Sequence, residues 1–275
     1  MALAVKVAIM NAMRDKIAIC AIFKDEARDL LEWLAFHKMI GVDLFFLYDN
    51  GSSDGGSELI RRSDFARNVT LTDWPDRPGQ LSAYNHFRTH HASRVAWVAF
   101  IDIDEFIVPL AGDSIREILM RKLYEPFAQV MVQWRVFGPS GHDRRPSGLV
   151  TQNYAHRMPE TISTSRHIKS FVRTDKFMGI DYTPHAAECS GPACNTRGEE
   201  LLPYAIQRVE CHDTMVVHHY FTKSREDWEL KRRRGRGDTL KPYQEQVFAD
   251  VAAQATVEDT TMLRLVPRLR ALLRH

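Results

Sequence analysis

The 275-residue chain predicts an α/β protein with a mixed, mostly parallel sheet flanked by helices, and three observations carry that expectation. Short apolar runs alternate with helix-spaced segments through the first third of the chain, the pattern of a sheet covered on both faces. Loops rich in Asp, Asn, Gly and Ser follow those runs, where ligands collect in open sheets of this kind. The fourth run, Val98-Ala99-Phe100-Ile101, leads straight into Asp102-Ile103-Asp104-Glu105.

Taken in order, Ile17 to Phe23 is a continuous apolar run and predicts the first strand. Asp25 to Ile40 then carries Leu30, Leu31, Leu34 and Met39 at helical spacing and is stopped by Gly41. Leu44 to Tyr48 predicts a second strand, ended by the turn formers from Asp49 to Gly56, and a short helix from Ser57 leads to a third strand at Val69 to Leu71. A polar helix from Leu81 to Ser93 precedes the fourth strand, Val95 to Ile101. Ser114 and Glu117 have capping-box spacing and start a helix through Leu123, after which Val130 to Phe137 reads as a long strand. From 139 to 212 the periodicity weakens, which predicts loops and short strands forming a substrate-facing lid. Val216 to Phe221 is a last strand, and Ser224 to Asp227 caps a helix that runs into Lys231 to Arg234. In the tail, Leu263, Leu265, Leu269, Leu272 and Leu273 interleave with Arg264, Arg268, Arg270 and Arg274, a basic amphipathic pattern interrupted by Pro267.

Composition narrows the function classes. The chain is 44% hydrophobic, and 37 Lys plus Arg against 35 Asp plus Glu leave a formal charge of only +2, so no global field favours nucleic acid. Cys20, Cys189, Cys194 and Cys211 form no C-x-x-C pair and read as reduced thiols, with no familiar zinc spacing. Met1 to Met13 is apolar but broken by Lys6, which suits neither a signal peptide nor a membrane span; a cytoplasmic location is the expectation.

The acid cluster carries the chemistry. A strand repeats every two residues, so Asp102 and Asp104 share one side of an extended chain while Ile101 and Ile103 point the other way. Buried carboxylates need compensation, and a hard divalent ion such as Mn2+ or Mg2+ supplies it while leaving positions open for phosphate oxygens. Glu105 reads as a structural acid that bonds backbone or an Arg.

Several segments together resemble a known family: Cys20 to Glu26, Leu31 to His37, Ile40 to Asp43, Tyr48 to Asp54, Trp97 to Phe106, Trp134 to His142 and His218 to Ser224. In this order they look like glycosyltransferase family 2 and family 92-like proteins of the GT-A fold, over residues 16 to 237. That resemblance implies an N-terminal extension (1–15), a glycosyltransferase domain (16–237) and a helical tail (238–275). Within the domain, residues 16–110 form the nucleotide-sugar half and 111–237 the acceptor and metal-completing half. It implies a metal-dependent, inverting transfer of a sugar from a nucleoside-diphosphate donor to an acceptor hydroxyl, in surface polysaccharide or glycoconjugate synthesis. Asp102 and Asp104 would hold Mn2+ or Mg2+ with His218 or His219, the first slightly preferred. Ile22, Glu26, Asp49, Ser52, Asp54 and Asp102 would contact the nucleotide, and Lys223, Lys231 and Arg234 the diphosphate, with Gln80, Tyr84 and Asn85 nearby. The catalytic base would be Glu188 or Asp143, with His142, Asp181 and His185 as alternatives. The acceptor would be a carbohydrate or lipid-linked glycan, with Arg264 to Arg274 touching an anionic membrane surface.

Three other readings compete. A D-x-D phosphotransferase of the haloacid-dehalogenase type expects Thr or Val where Phe106 stands and places its motif near the start of the domain. A non-catalytic carbohydrate or nucleotide-sugar-binding protein would retain the fold without turnover. An RNA-binding reading of Lys231 to Arg236 lacks an aromatic platform.

Overall fold

A computed structural model describes residues 15–239 and 241–273. The extension 1–14 and Arg274 lie outside the described residues. The strands are β1 (Ile17–Phe23), β2 (Leu44–Asp49), β3 (Val69–Asp73), β4 (Trp97–Phe100), β5 (Glu105–Pro109), β6 (Gln129–Val136), β7 (His156–Arg157), β8 (Ile168–Arg173), β9 (Phe177–Gly179), β10 (Glu188–Cys189), β11 (Ala193–Asn195), β12 (Met215–His219) and β13 (Val257–Glu258). The helices are α1 (Ala27–Met39), α2 (Gly56–Arg62), α3 (Gln80–His90), α4 (Ile115–Leu119), α5 (Val150–Asn153), α6 (Arg225–Arg234), α7 (Gln246–Gln254) and α8 (Val266–Leu272).

The main sheet has the order β3-β2-β1-β4-β8-β6-β12-β5, with β11 added beside β6. β3, β2, β1 and β4 run parallel, and β11 and β12 run parallel to β6. β8 is antiparallel to both β4 and β6, and β5 is antiparallel to β12. The expected mixed, mostly parallel sheet is therefore the fold of the chain. β1 shows why its sequence is a continuous apolar run: Ile17, Ile19, Ala21 and Phe23 pack into one buried cluster with Trp33 and Phe36 of α1. Ala18, Cys20 and Ile22 pack into another with Tyr84 and Phe87 of α3. Alternation vanishes because both faces are covered.

One segment departs from expectation. Residues 139–212 were expected to be a lid of loops and short strands, yet Ile168–Arg173 is a central strand of the sheet. Its run is broken by Lys169 and Ser170, both buried, so periodicity does not register it as a core strand. At the other end of the chain, Met262 and Leu269 are buried in the same cluster as α1, and Arg268 donates to the Met39 carbonyl at 3.3 Å. Pro267 sits in the first turn of α8, where its missing N–H costs no helical bond. No described helix is long and apolar enough to cross a membrane.

Candidate active site

The acid cluster forms a turn between β4 and β5, strands that lie far apart in the sheet. Glu105 closes this turn on itself: its N–H donates to the Asp102 carbonyl at 3.1 Å, and its Oε2 accepts from the Asp102 N–H at 2.9 Å. Trp33 of α1 pins the same turn, its indole N–H reaching the carbonyls of Asp102 (3.1 Å) and Glu105 (2.9 Å). Glu105 thus bonds backbone, the structural part expected of it.

Each aspartate faces a lysine. Lys169, only 1% exposed, donates to Asp102 Oδ2 at 3.0 Å and lies 3.4 Å from Glu105 Oε2. β8 brings it there, because β8 pairs with β4 only as far as Phe171 and Ala99 and its first residues pass the end of β4 where the acid turn begins. Gln80, at the start of α3, donates to Asp102 Oδ1 at 2.8 Å. Lys231 of α6 donates to Asp104 Oδ2 at 2.6 Å and to the Phe221 carbonyl at 2.9 Å. Burial alone would raise both aspartates; Lys169 outweighs it at Asp102, and Lys231 with His219 outweighs it at Asp104, so both carboxyls fall below their usual range. Burial pushes Glu105 up instead.

Strand alternation separates the two histidines. His219 stands opposite Glu105 in the β12–β5 register, its Nε2 3.5 Å from Asp104 Oδ1 and its Nδ1 3.9 Å from Glu105 Oε1. His218 stands opposite Phe106, its ring against Phe137, fully buried with neither nitrogen hydrogen-bonded among the described residues; burial lowers its pKa to about 3. The slight preference for His218 is therefore reversed by geometry: His219 is the residue beside the acids.

Gln80, Asp102, Asp104, His219 and Lys231 line a cavity of about 680 Å³ beyond the carboxyl ends of β1 and β4. Ile22, Glu26, Asp102, Asp104, His219, Lys231 and Arg234 all contribute to its wall, as do Lys24, Arg77, Arg233 and Arg236. Arg234 is held by Glu26 Oε1 at 2.7 Å and by the Lys24 carbonyl at 3.1 Å. Other expected donor contacts stand elsewhere. Asp49 accepts from the Ser52 N–H at 2.7 Å and from the Ser57 hydroxyl; Ser52 accepts from the Asp25 N–H; Asp54 accepts from Ala27 N at 2.7 Å, at the start of α1. These three side chains brace the loops and are absent from the cavity wall. Lys223 pairs with buried Asp29, which Arg145 also holds.

The five base candidates also separate. His185 lines the cavity, its Nδ1–H donating to the Ile168 carbonyl at 3.0 Å, and burial together with Lys169 lowers its pKa to about 3. His142 and exposed Asp143 sit at the start of α6, where their carbonyls accept from Arg225 and Glu226. Asp181 and Glu188 line a second groove.

The model of glycosyltransferase family 92 matches residues 15–247, most of the chain. The chain belongs to glycosyltransferase family 92. A family 92 protein of Oryza sativa subsp. japonica is 34% identical over 161 residues, covering 58% of this chain and 27% of the relative. One from Ricinus communis is 31% identical over 175 residues, covering 60% and 30%, so the chain spans less than a third of these relatives' length. Among solved structures, Staphylococcus aureus TarS 1-349 aligns with TM-score 0.36 and 14% identity over 58% of this chain and 47% of its own. Glucosyl-3-phosphoglycerate synthase from Mycobacterium tuberculosis aligns with TM-score 0.31 and 20% identity over 46% of each. Likenesses that weak say nothing about chemistry.

For this family 92 chain the expected divalent ion can be tested against the donor atoms. Asp102, Asp104 and His219 are the right ligand types. Among the described residues, however, no three His, Cys, Asp or Glu converge to hold an ion, and each aspartate carries an ammonium instead. As placed, they do not fit Mn2+ or Mg2+. Lys169 and the anchoring Trp33 were not anticipated as site residues; a lysine interrupting the run from Ile168 to Val172 was the signal the sequence offered.

Proposed function

We propose that the chain transfers a sugar from a nucleoside-diphosphate donor to an acceptor hydroxyl by a single inverting displacement. The observation that carries this reading is the cavity itself: an acid pair and a row of cations share one wall at the carboxyl ends of the strands. In the reaction, the bond from the sugar's anomeric carbon to the diphosphate oxygen breaks, and the electron pair leaves with the diphosphate. Lys231 and the arginines of 233–236 stabilise that growing charge. Attack by the acceptor oxygen from the opposite side inverts the anomeric centre. His185 Nε2, whose lone pair is free because Nδ1 carries the ring hydrogen, accepts a hydrogen bond from the acceptor hydroxyl and orients it, and the proton passes to water as the new bond forms. Asp102, whose side chain is 35% exposed, is the acid open to the donor, whereas Asp104 is enclosed. Binding of Mn2+ or Mg2+ at Asp102, Asp104 and His219 would require Lys169 to leave Asp102 as well as Lys231 to leave Asp104.

The test is a thermal-shift and hydrolysis panel of nucleoside-diphosphate sugars, because a ligand that binds only the native state raises its melting point. One donor class is expected to stabilise the protein and release free sugar slowly. Lys231→Met is expected to weaken that donor while raising Mn2+ affinity, since it frees Asp104. No stabilisation by any donor, with or without Mn2+, would overturn the reading.

A further inference from the structure

The central cavity has a neighbour of opposite character. A groove of about 740 Å³ runs between the β9–β10 hairpin and the 200–205 loop. Among the described residues its wall holds Asp181, Glu188 and Glu200 and no Lys, Arg or His, whereas the central cavity is lined by Lys24, Arg77, Lys231, Arg232, Arg233, Arg234 and Arg236. At its rim Tyr182 is 88% exposed, Tyr204 65% and Leu202 64%. The two sites share one segment: Thr183 and Ala186 line the groove, while Pro184 and His185 between them line the cavity. Asn85 of α3 fixes this segment through the Ile180 backbone, accepting from its N–H at 3.1 Å and donating to its carbonyl at 2.9 Å.

Resting on the reading above, we infer that this groove binds the acceptor as an extended neutral glycan, delivering its hydroxyl past His185. An acidic wall with no cation repels nucleotides, phosphates and anionic lipid headgroups alike. A neutral sugar suits it: the apolar C–H faces of the rings lie on exposed tyrosines, which offer large rigid surface at little entropic cost, and carboxylates accept from sugar hydroxyls. Asp181 and Glu188, which line the groove and not the cavity that holds the acid pair, thereby become acceptor-binding groups. A groove volume of about 740 Å³ matches an oligosaccharide better than a single sugar.

The test uses the full chain and a panel of neutral oligosaccharides, the cello-, xylo-, malto- and galacto-series, read by saturation-transfer NMR, with spermidine as a cationic probe. At least one series is expected to bind, and Tyr182→Ala with Tyr204→Ala to weaken it about tenfold or more, equivalent to about 1.4 kcal/mol. Donor-induced thermal stabilisation and slow donor hydrolysis should stay unchanged in that double variant. Unaltered oligosaccharide binding in the variant, no binding of any series, binding of spermidine alone, or conversion of a wild-type dimer to a monomer by the substitutions would each overturn the inference. Loss of donor binding by the wild type would instead remove the transferase reading, so the two failures are distinguishable.

Discussion

Lys169 is the single residue on which the acid turn most depends. It sits fully buried between Asp102 and Glu105, and removing one partner of a buried pair leaves an uncompensated charge, at a cost of about 3–5 kcal/mol. Lys169→Met is therefore expected to lower the urea midpoint substantially and to abolish donor hydrolysis, with Lys169→Arg intermediate. A Met variant as stable as wild type would refute the pairing. Trp33 acts on the same turn from outside, and its two carbonyl bonds explain why an aromatic with a donor stands inside the apolar face of α1.

At the scale of elements, β12 decides which histidine matters. Adjacent strand residues face opposite ways, and the β12–β5 register puts His219 across from Glu105 and His218 across from Phe106. His218 has no hydrogen-bond partner to lose, so His218→Leu is expected to keep activity and to leave the denaturation midpoint at neutral pH nearly unchanged or raised. His219→Leu is expected to lose transfer while remaining folded. Equal loss of activity in both variants would remove the assignment. β8 is the other deciding element: it inserts antiparallel between β4 and β6, and only by doing so does it carry Lys169 past the end of β4.

For the whole molecule, buried neutral histidines set a pH dependence. Burial holds His37 and His218 at a pKa of about 3, and burial with the charge of Lys169 does the same for His185. An unfolded histidine titrates near about 6.5. Below that pH the unfolded chain takes up protons that the native state refuses, so stability present at neutral pH is lost progressively as pH falls from 6.5 toward 3. Glu105, pushed up by burial, contributes with the opposite sign, so the clean measurement is a difference. The thermal midpoint of His218→Leu should fall less than that of wild type between about pH 7 and 5; parallel curves would contradict it. The tail belongs to this scale as well. Its Arg264, Arg268 and Arg270 donate to Pro109, Met39 and Gln152, and Leu269 is buried against the body, while Leu263 and Leu272 are exposed.

The strand–helix alternation of the first third, the acid turn and the cationic last turn of α6 were legible by themselves, because apolar periodicity and local motif spacing are properties of neighbouring residues. The family resemblance rested on the same local segments. What the tertiary structure alone decided were pairings across long stretches of chain: Lys169 to Asp102, Lys231 to Asp104, and His219 rather than His218 beside them. Asp49, Ser52 and Asp54 looked like ligand contacts because turn formers and ligand-binding polar residues are the same residue types; only their bonds to backbone and to Ser57 show them bracing loops. Likewise Asp181 and Glu188 could be named from sequence but not assigned to a groove, since strand order and register determine which polar side chains meet, and neither is written in local pattern.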